Sequence, residues 1–124
     1  MKNIVVINPT DKLRKFSDLW SPKIIAEIND AYVKLAKLKG EYVWHKHDNE
    51  DEMFLIIRGV LKIELRDKVL ELQPGELVVI PKGVEHRPVA DAEVCVILIE
   101  PKSTLSTGDA EDTGDKKSTH GEWI

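Results

Sequence analysis

Residues 60–65 read Val-Leu-Lys-Ile-Glu-Leu, and the alternation is strict. Leu61, Ile63 and Leu65 fall on one side of an extended chain, with Lys62, Glu64 and Arg66 on the other. Short apolar runs of the same texture recur at Lys23–Ile28, Glu52–Arg58, Val69–Leu72, Leu77–Ile80 and Val94–Ile99. Turn-forming residues separate them: Asn29-Asp30, Gly59, Asp67-Lys68, Gln73-Pro74-Gly75, Pro81-Lys82-Gly83 and the stretch Ala90-Asp91-Ala92-Glu93. Many short strands punctuated by Gly and Pro predict an all-β chain, an antiparallel sandwich or barrel. Ala31–Lys39 reads as a further strand closed by Gly40, with helix open on propensity alone. Val84–Val89 reads as a strand that turns at Ala90–Glu93 into Val94–Ile99.

The two ends differ from this middle. Asn3-Ile4-Val5-Val6-Ile7 is β-branched and stops at Asn8-Pro9, which predicts a short edge strand. Thr10 or Asp11 is expected to cap a short helix through Leu13, Phe16 and Leu19, and Ser21-Pro22 ends it. Trp20 is expected to pack. From Ser103 the chain is rich in Ser, Thr, Gly and acid, which predicts loop or extended tail. Its last residues, Trp123-Ile124, are apolar and are expected either to dock on the barrel or a partner chain, or to fray. The resulting organisation is an N-terminal strand and helix over residues 1–22, a barrel over 23–101 and an extended tail over 102–124.

Composition narrows the function. A formal net charge of −4 over 124 residues, with no basic cluster, argues against a nucleic-acid partner. Lys34, Lys37 and Lys39 are expected on a solvated face. There is no apolar run of membrane length, and Ile4–Ile7 is too short for a signal-peptide core. With a single cysteine, Cys95, no intrachain disulfide can form, which fits a cytoplasmic protein. Cys95 lies inside Val94–Ile99 and reads as a small buried hydrophobe rather than a nucleophile.

The chemistry sits in Gly40–Gly59 and Gly75–His86. His45 and His47 stand two apart, so on a strand both imidazoles look to one face while Lys46 looks away. Four residues separate His47 from Glu52, which opens a strand expected to neighbour the histidine strand. His86 arrives after Pro81 and Gly83. Three imidazoles and one carboxylate suit Mn, Fe, Co, Ni, Cu or Zn and suit Mg or Ca poorly. On an octahedral ion they leave two positions open, whereas zinc in a closed tetrahedron would be structural. One carboxylate on a divalent ion leaves a formal charge of about plus one, which favours an anionic or oxygen-rich ligand. Phe54 and Ile56 share the face of Glu52, and Val43 that of the histidines, so these three are expected to form an apolar pocket wall. Tyr42 and Trp44 alternate to the other face and are expected to pack. Arg58 reads as a solvated strand end, and His120 has no supporting motif.

These residues resemble the two motifs of the cupin superfamily of small β-barrels. Gly40, His45, His47, Glu52 and Gly59 match the first motif, with Gly40 one residue closer to the histidine than is usual. Gly75, Pro81, Gly83 and His86 match the second, and Ala90 stands where the family places asparagine. The resemblance implies a double-stranded β-helix, or jelly roll, with His45, His47, Glu52 and His86 as ligands of one divalent transition metal. Cupins of this size are often likened to mannose-6-phosphate isomerases. The resemblance thus implies either sugar-phosphate isomerase-like or dioxygenase-like chemistry on a small oxygen-rich molecule, sugar-like or a carboxylate. The alternative is a sensing module that binds a small molecule without turnover. Cupins are commonly dimers, and pairing of the N-terminal strand across a two-fold axis would give a homodimer.

Overall fold

A computed structural model describes residues 3–124. The chain is an all-β jelly-roll barrel with one short helix. Its elements run α1 (Pro9–Leu13), β1 (Lys23–Ile28), β2 (Ala31–Glu41), β3 (Glu52–Arg58), β4 (Leu61–Leu65), β5 (Val69–Leu72), β6 (Leu77–Ile80), β7 (His86–Pro101) and β8 (Glu122–Trp123).

β7 is the spine. Along one edge it pairs with β2, from Glu41↔Val89 to Ala31↔Pro101. Along the other it pairs first with β4, Leu65↔His86 to Lys62↔Val89, and then with β3, Arg58↔Cys95 to Met53↔Ile99. The turn expected at Ala90–Glu93 is instead a bulge within this one strand. Leu38 pairs with Val94 and Gly40 with Ala90, so β7 carries extra residues opposite Lys39. A bulge bends and twists a strand without ending it, which lets β7 serve both halves of the barrel. Gly59, where the chain passes from β3 to β4, crosses directly over the bulge. A Cβ there would lie 2.8 Å from the Glu93 carbonyl, so the position needs glycine for close approach as well as for its φ of 87°.

β2 is buried on both faces. Toward the barrel interior, Ala36 and Leu38 join Phe54, Ile56, Leu61, Ile63, Val94, Val96 and Leu98 in the main core. Toward the outside, Leu35 packs with Leu13, Ile25 and Cys95, and Phe16 and Ile124 cover them. Lys34 therefore does not share a solvated face with Lys37 and Lys39. It has the parity of Ala36 and Leu38, points inward and is fully buried. Lys37 lies under Phe16, donating to its carbonyl at 2.6 Å.

The ends depart from expectation. Residues 3–8 form no strand; with no partner edge beside them, Ile4 and Val6 are almost fully exposed. The helix cap is Asn8, whose side chain accepts from the Thr10 and Asp11 amides, and Pro9 sits in the first turn. The helix stops at Leu13, so Phe16 and Leu19 follow it as irregular chain. Residues 102–121 form turns folded over the barrel mouth, with Thr104 and Thr107 fully buried. The last residues dock on their own chain. β8 pairs in parallel with β1, and Ile124 is held by its amide to the Ile24 carbonyl and by Lys12 Nζ on its own carbonyl.

Candidate metal centre

After β2 the chain runs extended along residues 42–47, beside the start of β7. The Tyr42 amide donates to the Pro88 carbonyl, and His45 and His86 exchange both backbone hydrogen bonds, at 3.1 and 2.9 Å. The amide of Gly83 then donates to the His47 carbonyl at 2.8 Å. The turn Pro81–Gly83 thus clamps one histidine segment against the other. The ring centroids of His45 and His86 lie 4.3 Å apart. Glu52 comes from elsewhere than expected. β3 pairs with β6 and β7, not with the histidine segment, and the Glu52 carboxylate reaches the imidazoles from the adjoining wall.

One ligand atom from each of His45, His47, Glu52 and His86 lies within 4.8 Å of all the others, and all four residues are buried. The hydrogen bonds show what this cluster suits. His45 and His86 each place Nδ1 2.9 Å from a backbone carbonyl, of Val43 and Val84 respectively. The proton therefore sits on Nδ1, leaving the Nε2 lone pair free. His86 Nε2 nevertheless lies 3.2 Å from Glu52 Oε1, and His47 Nε2 lies 3.5 Å from the same oxygen. Neither ring nitrogen of His47 has a hydrogen-bond partner, although both are buried. Lone pairs facing a carboxylate oxygen call for a cation between them, and orphaned buried nitrogens are costly without one. The residues fit a transition metal.

The electrostatics agree with that fit. Burial, helped by His86, pushes the His45 imidazole down to about 4, so it is neutral and ready to donate at neutral pH. Burial opposes protonation of His47, but the Glu52 carboxylate 3.5 Å away outweighs it and moves His47 upward. Burial likewise works against the Glu52 charge. Contacts with Glu100, His47 and His86 overcome it and hold Glu52 well below the ordinary carboxyl range.

Behind Glu52 stands a pair that the sequence reading missed. Lys34 Nζ donates to Glu100 Oε1 at 2.8 Å, with both side chains buried. Burial and the neighbouring Glu52 charge push Glu100 well above the ordinary range. The other Glu100 oxygen is buried and has no hydrogen-bond partner among the described residues. The available signal was parity: Lys34 alternates with the apolar residues of β2, not with its other lysines.

A cavity opens beside the cluster. Its room for water-sized molecules is ≈ 40 Å³, enough for about three waters. Trp20, Pro22, Ala36, Leu38, Tyr42, Phe54, Pro88 and Leu98 make its apolar walls, and His45, Glu52, Glu100 and Ser106 supply its polar groups. Of the three expected wall residues, Phe54 lines it. Ile56, two residues further along β3, lies in the core, and Val43 packs against that core. Tyr42, expected to pack, is a wall residue. It stacks on Trp20 with ring centroids 4.6 Å apart and meets His45 edge-on at 5.3 Å. Burial raises its phenol to about 12. Trp20 holds φ at 57°, a costly value for a bulky residue, and is tied there by its amide to Lys37 and its indole N–H to the Lys39 carbonyl.

The remaining candidates lie apart from the cluster. Trp44 sits under Arg66, whose guanidinium is 3.9 Å from its ring centroid. Arg58 is exposed and donates to the sulfur of fully buried Cys95 at 3.2 Å. His120 is exposed and lies 3.1 Å from the Thr104 carbonyl.

The model of the cupin domain matches residues 32–100, which run from β2 through His86 into the last residues of β7. The chain belongs to the cupin family. This cupin resembles solved relatives closely. A cupin-2 domain protein of Shewanella frigidimarina is 51% identical with a TM-score of 0.77, over 77% of this chain and 94% of that one. Protein NMB1881 of Neisseria meningitidis is 31% identical with a TM-score of 0.72, over 78% and 99%. The uncharacterized protein YdbB of Bacillus subtilis is 38% identical over 79 residues, 63% of this chain and 70% of that one. Among the described residues, no helix of this cupin is long and apolar enough to cross a membrane.

Proposed function

We propose that this cupin binds one divalent transition metal through His45, His47, Glu52 and His86 and acts on a small, weakly charged, oxygen-bearing molecule. Dioxygenase-like chemistry is favoured over sugar-phosphate isomerisation. The observation that carries this reading is the pairing of the four ligand atoms with an apolar cavity. Among the described residues no Lys or Arg lines that cavity, and two carboxyl groups do. Beyond the metal itself, a phosphate dianion would find no cationic side chain in the lining and would lie beside the Glu52 and Glu100 carboxyl groups, at a desolvation cost. A compact, largely apolar body with one or two oxygens would instead meet Trp20, Tyr42, Phe54 and Leu98. When bound, the metal would supply Lewis acidity and, if it is iron, redox chemistry. The chain's own residues orient the ligand against the aromatic pair and exclude water.

The test begins with metal analysis of protein purified without a histidine tag, followed by titration with Fe²⁺, Mn²⁺, Ni²⁺ and Zn²⁺. Uptake of one equivalent is expected. His86→Ala and Glu52→Ala are expected to lose it while circular dichroism stays native. Absence of metal, with no uptake on titration, sinks the reading. Fe²⁺-loaded protein is then offered small uncharged diols and phenols in an oxygen electrode, with mannose 6-phosphate as the competing substrate. Oxygen uptake supports the oxygenase. Isomerisation of the sugar phosphate reverses the preference. Tight binding with no turnover of either class supports the non-catalytic sensing alternative.

The homodimer belongs to this proposal as well. It is supported by Ile4, Val5 and Val6, which are exposed and have no strand partner within the chain. A cytoplasmic location is proposed on the single buried, reduced cysteine.

A further inference from the structure

The Lys34–Glu100 pair has no role in the four-ligand site as described so far. A lysine and a carboxyl group are costly to bury, and an apolar pair of similar volume would serve stability equally well. Their position in the sheet suggests another use. Tyr32 pairs with Glu100 and Lys34 with Leu98, so Lys34 and Glu100 are diagonal neighbours on the inner face of the β2–β7 ladder. On the other edge of β7, Met53 pairs with Ile99 and Phe54 with Leu98. The same register carried one residue further sets Glu52 directly opposite Glu100. Both residues line the same cavity, and their carboxyl groups lie close enough to interact. Glu52 thus has Glu100 as a neighbour across the ladder, while its Oε1 faces His86 at 3.2 Å and His47 at 3.5 Å. Glu100 itself is outside the group of converging ligand atoms.

We infer that Lys34 and Glu100 form a buttress that positions Glu52. Lys34 fixes the Glu100 carboxyl, and Glu100 fixes the rotation of the Glu52 carboxyl so that Oε1 is presented to the three histidines. Glu100 is a positioning residue, and the inference rests on the reading of the four residues as metal ligands. Its consequence is that affinity for the metal depends on two side chains that never touch it.

The experiment is Co²⁺ titration of the 124-residue chain, read by visible absorption and by competition with a chelator, with thermal unfolding of each apo-protein alongside. The double variant Lys34→Met/Glu100→Leu removes both polar head groups at similar volume, so it is expected to unfold near the wild-type temperature. Its Co²⁺ affinity is expected to fall ~10–100-fold, as for other partners of metal ligands, with altered visible bands. Glu100→Gln keeps a polar group against Glu52 and is expected to retain near-wild-type affinity and bands. Glu100→Asp withdraws the carboxyl by one methylene while keeping the same functional group, and is expected to weaken binding whether or not the double variant folds. Wild-type affinity in the folded double variant, or in Glu100→Asp, overturns the inference. So does a loss in Glu100→Gln as large as in the double variant. Wild-type protein that binds no Co²⁺ overturns the metal reading itself, which is a separate outcome.

Discussion

His45 carries the sharpest residue-level consequence of the site. Its imidazole is pushed down to about 4 in the folded chain, against an ordinary value of 6.5. Between those values the unfolded chain binds a proton that the folded apo-protein does not, so stability falls as pH drops through that window. Complete passage costs about 3 kcal/mol. His47 runs the other way, because its raised value makes protonation favour the fold. The two are separated by comparing urea denaturation of apo wild type and apo His45→Gln between pH 7 and pH 4. The variant is expected to lose less stability over that range, and an unchanged slope would show that His45 titrates normally. Three of the four ligands were legible as spacing alone: the alternation of His45 with His47, and the short step to Glu52. His86 needed the second motif. Glu100 was invisible because its role depends on register, and nothing in the run Ile97–Pro101 marks which strand lies opposite.

The element that most changes the site is the loop over residues 103–109. The sequence reading had only a polar segment here, and polarity says nothing of what a loop covers. The loop is pinned to the histidine segment by the Asp109 side chain on the Lys46 amide at 2.8 Å and by the Asp109 amide on the Lys46 carbonyl at 3.1 Å. Ser103 donates to Glu50 at 2.8 Å. Gly108, with φ of 55°, lies so close to Lys46 that a Cβ would collide with its carbonyl oxygen and crowd the His45 ring. Gly108→Ala is therefore expected to lift the loop from the site, at ~1–3 kcal/mol for the strained backbone. Faster proteolysis within residues 103–112 and weaker metal binding are the measurements. Wild-type resistance in the variant would show that the loop does not depend on this contact. The strands of the barrel were legible because alternation and turn residues agree locally. The long β7 was misread because Ala90–Glu93 has turn composition, while its tertiary partners keep it extended as a bulge.

At the scale of the whole molecule, the exposed segment Ile4–Val6 is the feature a single chain leaves unfinished. Burying such a side chain is worth ~1.5–3 kcal/mol, so pairing three of them across a two-fold axis would matter. Light scattering after gel filtration is expected to give twice the chain mass of 14.1 kDa. The variant Ile4→Ser/Val6→Ser is expected to shift toward the monomer. A monomeric wild type would remove the dimer from the proposal.

β7 also dictates the order in which the molecule can be made. Before residue 86 leaves the ribosome, the chain can form only the β1–β2, β4–β5 and β3–β6 pairings, and isolated two-stranded units are marginal in water. The strand that joins them, and that brings His86 and Glu100 to the waiting His45, His47 and Glu52, is synthesised after all of them. Long-range pairing of this kind folds slowly. A nascent chain would therefore expose its two paired histidines before it has a barrel to shelter them.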